Sequence, residues 1–189
     1  MMRLLFIVLA MIATITSFAQ QKDVTSFLGI PVDGTVLSMK QKLVSKGFVP
    51  KKVGTNEFLE GEFNGTDVRV YIVTNNNKVY RIMLADNFTV DEAQIKIRFN
   101  NLVSQFENSK RYISLGKYTL SDEEDISYEM TVHNKNYEAA FYQVPNMEKA
   151  DTELMLMKPV WFKIVRVNGE YYICMFYDNE YNRSHGEDL

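Results

Sequence analysis

Apolar positions recur along this chain with two different periods, and the switches between them mark out its elements. Val36, Met39, Leu43 and Val44 fall three and four apart, which predicts a short amphipathic helix over residues 36–46. Thr35 offers an oxygen to the orphan N–H groups of the first turn, and Gly47 closes the helix in a left-handed conformation. The period then drops to two. Residues 58–63 read as a strand, Asn64-Gly65 as a type I′ turn, and Val68, Val70 and Ile72 as one face of the returning strand. Asn75-Asn76-Asn77 marks another turn, and residues 79–84 read as a third strand.

The helical period then returns. Thr89 and Glu92 have the spacing of a capping box, and Ile95, Phe99, Leu102, Val103 and Phe106 share one face of the helix that follows. Residues 111–115, 126–132, 137–144, 160–167 and 171–177 carry strand patterns, with Asn168-Gly169 joining the last two as a second type I′ hairpin. Residues 145–158 fit neither period. Residues 20–27 and 178–189 are polar and are expected to be loose. The fold class is therefore α+β. Two helix–β-meander units, about residues 28–86 and 87–178, are expected to form a twisted antiparallel sheet with both helices on one face. They make a single domain over residues 20–178, followed by a polar tail at 179–189.

The first nineteen residues stand apart from this pattern. Arg3 precedes a nearly unbroken apolar run from Leu4 to Ile15, and Ser17-Phe18-Ala19 ends it with small residues at the two positions a signal peptidase reads. The run falls short of the ~20 apolar residues that span a bilayer. It reads as a secretory leader, with a mature chain starting at Gln20 in the periplasm or outside the cell. The only cysteine is Cys174, so no internal disulfide can form and the leader has no residue to carry a lipid anchor. The whole chain has a formal net charge of −3 and no basic run, which argues against nucleic acid as a partner.

The segment Gly34-Thr35-Val36-Leu37-Ser38-Met39-Lys40-Gln41-Lys42-Leu43, with Gly47 and a meander behind it, resembles the start of the repeat in β-lactamase-inhibitor-protein-like domains and the related outer-membrane assembly lipoproteins. It is equally similar to small secreted proteins of Gram-negative bacteria. The first resemblance implies a tandem helix–meander architecture whose open sheet face binds other proteins. The disulfides of the inhibitor proteins and the lipobox of the assembly lipoproteins have no counterpart here.

Alternation separates the sheet faces. In the first hairpin Leu59, Gly61, Phe63, Val68, Val70 and Ile72 form the core face. Arg69, Tyr71 and, on the next strand, Arg81 lie on the other, among acidic residues. In the last hairpin Phe162, Ile164, Ile173 and Met175 share one face, and Trp161, Lys163, Val165, Tyr172, Cys174 and Phe176 share the second. Both of these faces are apolar, whereas a half-exposed strand should be polar on one side. Either residues 145–158 or the second helix covers the second face, or it is a contact surface. The candidate binding residues are Trp161, Tyr172 and Phe176, with Arg69, Tyr71 and Arg81 as a second cluster.

The sequence supports catalysis weakly. His133 and His185 are the only histidines, and no nucleophile elbow, phosphate loop, zinc-protease motif or C-x-x-C is present. The acidic stretches Asp122–Asp125 and Asp178–Asn182 lack the glycine and terminal glutamate of a calcium loop. The expectation is a non-catalytic secreted domain, without cofactor or metal, that binds a protein, peptide or glycan. The alternatives are a structural or assembly factor of the cell envelope and, behind that, a small hydrolase.

Overall fold

The computed structural model describes residues 22–145 and 152–184. The leader expected over residues 1–19 and the end of the polar tail lie outside the described residues.

The chain opens with a short hairpin, Ser26–Phe27 (β1) and Ile30–Pro31 (β2), followed by helix Val36–Ser45 (α1). Strands Val49–Val53 (β3), Asn56–Phe63 (β4), Thr66–Asn75 (β5) and Lys78–Asp86 (β6) come next. Helix Glu92–Asn108 (α2) leads to Tyr112–Ser114 (β7), helix Ile126–Val132 (α3) and Glu138–Gln143 (β8). The short helix Thr152–Leu156 (α4) precedes the closing hairpin, Pro159–Val167 (β9) and Glu170–Asp178 (β10). Strands β3 to β10 make one antiparallel sheet in the order β3-β4-β5-β6-β10-β9-β8-β7. The fold is α+β. Two runs of four strands, each begun after a helix, meet where β6 pairs with β10.

Local chemistry sets the turns and caps. Asn64-Gly65 and Asn168-Gly169 hold φ values of 54°, 72°, 53° and 85°, the left-handed pairs a type I′ turn requires. Gly61 then faces Val68, and Leu59 faces Val70, as the two-residue loop dictates. The Thr35 hydroxyl caps α1 by accepting from the Ser38 N–H.

Helices α1 and α2 lie on the same face of the sheet. Phe99 of α2 meets Phe162 at 5.2 Å between ring centroids, and Phe106 stacks on Phe141 at 4.8 Å. Met39 and Leu43 of α1 are fully buried in the same cluster as Val68, Val70, Ile82 and Leu84. Leu59, Leu102, Ile164 and Ile173 belong to this core, and Ile72 packs against it half-buried.

The structure departs from the sequence pattern in four places. Residues 126–132 form helix α3, not a strand. Asp125 caps it by accepting from the Tyr128 N–H, and this start signal outweighs the strand preference of Ile126, Tyr128, Thr131 and Val132. Helix α2 begins at Glu92 with Asp91 as its cap, not at Thr89. The Thr89 hydroxyl instead donates to the Glu170 carboxylate, and Glu92 accepts from the Ile126 N–H at 2.7 Å, tying α2 to α3. Strand β3 shows no alternation because all five of its residues are exposed at the sheet edge. Pro50, Lys51 and Lys52 there discourage a further strand from pairing. The termini, finally, are tied down at both described ends. Val24 and Thr25 are buried, and the Thr25 hydroxyl donates to the Asp178 carbonyl. Asn179 is fully buried and donates to the Val32 carbonyl at 2.7 Å.

Candidate functional site

Alternation leaves the second face of the sheet with its own continuous row of side chains. Register aligns Tyr71 with Met83, Met83 with Phe176, Phe176 with Trp161, and Trp161 with Ala140. Phe58 extends the row on β4, its ring 5.8 Å from that of Tyr71. Tyr71, Met83, Trp161 and Ala140 are half-buried. The buried side chains of α1 and α2 point into the opposite face, so α2 is not the cover that the sequence left open. Within the 145–158 segment, helix α4 has no buried residue, while Pro145 and Lys158 on either side of it are buried.

The centre of the row is an ordered cluster. The Trp161 indole lies flat on Phe176, with centroids 4.0 Å apart and planes 17° from parallel. The Arg81 guanidinium sits 4.9 Å from the Phe176 ring and 5.6 Å from the Trp161 ring. Asp178, 1% exposed, holds both partners. It accepts from Arg81 Nε at 2.6 Å and Nη2 at 2.7 Å, and from Trp161 Nε1 at 3.1 Å. The Asp178 hydrogen bond raises the Arg81 pKa above its ordinary value, against the opposing effect of burial.

These contacts redraw the two expected clusters. Arg81 belongs with Trp161 and Phe176, not with Arg69 and Tyr71. Phe176, expected to be exposed, is 6% exposed and forms the floor under Trp161. Tyr172 lies opposite Val165, two alternate positions along β10 from the stack. Burial, with Cys174 as a neighbour, raises its pKa. Arg69 lies 5.4 Å over Phe58 and 3.8 Å from the Glu60 carboxylate, at the far end of the row. Asp178, which sequence reading placed in a loose tail, organises the site. The signal was available: one more step of the 172, 174, 176 alternation puts 178 on this face.

Three other titratable groups are engaged within the fold. Cys174 is 7% exposed, and burial pushes its thiol pKa up, away from the nucleophilic form. His133 ends α3, with Nδ1 2.9 Å from Glu129. Glu124 accepts from Lys135 and Tyr137, which hold its carboxyl below the ordinary carboxylate value. Among the described residues no group of His, Cys, Asp or Glu side chains is placed to hold a metal ion, and no helix is long and apolar enough to cross a membrane.

Comparison of the chain with known protein families, with curated proteins and with solved structures finds no match.

Proposed function

We propose that this protein is an exported, non-catalytic binding module that holds another protein on the uncovered face of its sheet. The observation that carries this reading is the Trp161–Phe176 stack with Arg81 fixed beside it by Asp178. Interface hot spots are enriched in Trp, Tyr and Arg. Anchors already locked in place lose less side-chain entropy on contact than free ones do. The half-buried neighbours Tyr71 and Met83 extend the apolar centre, while Glu60, Arg69 and Lys163 give it a charged rim, the layout of a protein contact surface.

The reading includes two further elements. The two helix–meander units, about residues 28–86 and 87–178, are joined edge to edge through β6 and β10, which makes one broad face from two small ones. The leader at residues 1–19 delivers the chain to the periplasm or beyond, where an envelope or extracellular protein is the partner.

The test is capture from envelope extract with the chain from Gln20 as bait, followed by affinity measurement with the purified partner. Trp161→Ala should weaken binding at least about 30-fold, the equivalent of a ~2 kcal/mol hot spot. A Phe88→Ser control, at a residue 69% exposed in the loop before α2, should leave it unchanged. Equal affinity of wild type and Trp161→Ala would refute the reading.

A further inference from the structure

At one end of the sheet lies a hollow of about 540 Å³ that shares no lining residue with the Trp161 stack. Its size falls within the ~300–1,000 Å³ of small-molecule pockets. The β1–β2 turn, the β4–β5 turn, the end of α2 and the start of β7 all contribute to its wall. Phe63 and Tyr112 line it as half-buried aromatic rings. Tyr112 is braced by Phe106 at 4.5 Å between ring centroids, and its hydroxyl accepts from Gln143 Nε2 at 3.3 Å.

The polar lining is of a particular kind. Asn64 Nδ2 donates to Gln105 Oε1 at 2.6 Å, so Asn64 Oδ1 and the Gln105 amide N–H groups are left to serve a ligand. The Arg111 guanidinium lies 5.8 Å over the Tyr112 ring, and among the described residues no carboxylate is within salt-bridge distance of it. Arg111 is the one cation of the lining and Glu62 its one carboxylate, so the wall carries no net charge.

A second, independent feature marks the rim. Leu28 occupies the first position of the β1–β2 turn with φ 51°, followed by Gly29 at φ 76°. A left-handed conformation is strained for a leucine, and this position is normally filled by Asn, Asp or Gly. Leu28 is 40% exposed, so core burial does not offset the strain. What it does is give the hollow an apolar lip. Strain of this sort persists where function keeps it.

We propose that this hollow binds an uncharged sugar unit of an oligosaccharide. Tyr112 and Leu28 pack on the C–H faces of the ring. Asn64, Gln105 and Arg111, all planar groups able to make paired hydrogen bonds, take adjacent hydroxyls. A lining without net charge selects a neutral polyol over an acidic or basic ligand.

The test is calorimetric titration of the chain from Gln20 with cello-, malto-, xylo-, manno- and chito-oligosaccharides, alongside oligogalacturonate as the acidic comparison. At least one neutral oligosaccharide should bind at millimolar or lower concentration. Gln105→Ala and Leu28→Asn should each weaken that binding at least about tenfold. Leu28→Asn should at the same time raise the melting temperature, because Asn tolerates the left-handed turn. Trp161→Ala should leave sugar binding unchanged, which separates this site from the sheet face. Absence of binding across the neutral panel, binding of the acidic oligosaccharide alone, or binding indifferent to both rim variants would overturn the proposal.

Discussion

Trp161 and Phe176 lie ring on ring across the β9–β10 pair, 4.0 Å between centroids, and each explains the burial of the other. Phe176 is 6% exposed on a face that α1 and α2 leave open, because the indole roofs it and Arg81 closes its side. The indole in turn cannot rotate freely, since its N–H is bound to Asp178. An apolar second face on the last hairpin is therefore reconciled with a sheet that, among the described residues, α1 and α2 cover on one side only. The apolar groups cover one another, and the topmost aromatic is left half-buried.

That arrangement makes Trp161 its own reporter, because it is the only tryptophan of the chain. In the free protein its emission should be quenched by acrylamide to an intermediate degree. Addition of the protein partner should shift the emission to the blue and reduce the quenching. A neutral oligosaccharide in the end hollow should leave the spectrum unchanged. An unliganded spectrum already insensitive to acrylamide would show that the face is covered, and the proposed contact surface would fail with it.

A glycine on the core face leads to a second prediction. Gly61 stands opposite Val68, and a Cβ built on it would lie 2.6 Å from Cδ1 of Phe48, a residue 3% exposed. The Phe48 ring thus fills the space a side chain would need. Gly61→Ala should cost roughly 1–3 kcal/mol through overpacking, read from the urea midpoint. Adding Phe48→Leu should recover part of the loss, as a smaller side chain restores the gap. Full stability of the single Gly61→Ala variant would mean that the ring moves aside freely.

The elements that the sequence announces are those whose signals are local. Thr35 and Gly47 bracket α1, and the two Asn-Gly pairs fix their hairpins, because cap and turn chemistry act within a few residues. The core face of the first hairpin follows from alternation alone. Strand β3 escapes that logic because an edge strand without a buried residue has no alternation to show. Helix α3 escapes it because its β-branched and aromatic residues suit a strand, and only the Asp125 cap and the packing of Ile126 decide otherwise. The pairing of β6 with β10 joins residues far apart in the chain, Arg81 with Asp178, 97 positions on, and no short-range pattern encodes it. The candidate site depends on that pairing. Its aromatic members are legible as a face, and the same alternation carries on to Asp178, but the pairing that sets Asp178 beside Arg81 is not legible.

Alkaline pH should weaken the fold through two buried tyrosines. Burial raises the pKa of Tyr137 and Tyr177, reinforced for Tyr137 by its hydrogen bond to Glu124 and for Tyr177 by the neighbouring Tyr112. In the unfolded chain both return to about 10. The folded state holds the neutral forms, so their contribution is complete below that value and is lost as pH rises above it. The urea midpoint should be flat between about pH 7 and 9 and fall above about pH 10. Replacing both residues by Phe should make the fall shallower. An unchanged slope in the double variant would assign the alkaline loss to other groups.

The Arg81–Asp178 pair separates a role in folding from a role in binding. Asp178→Asn removes the charge opposite a guanidinium that stays protonated at any working pH, so the protein cannot relieve the imbalance by losing a proton. Breaking a buried pair from one side costs about 3–5 kcal/mol. The Arg81 side chain is 20% exposed, so water offsets part of that, and roughly 2–3 kcal/mol is expected here. The midpoint of a denaturant melt checks it. Replacing both members by apolar residues closer to them in volume, Arg81→Met with Asp178→Val, should restore most of the stability, because no charge is left uncompensated. Partner binding should not return with it. The indole N–H would have no acceptor, the guanidinium would be gone, and the anchor would have to be ordered again at each encounter. Recovery of affinity together with stability would show that the pair serves the fold alone and that the contact surface lies elsewhere.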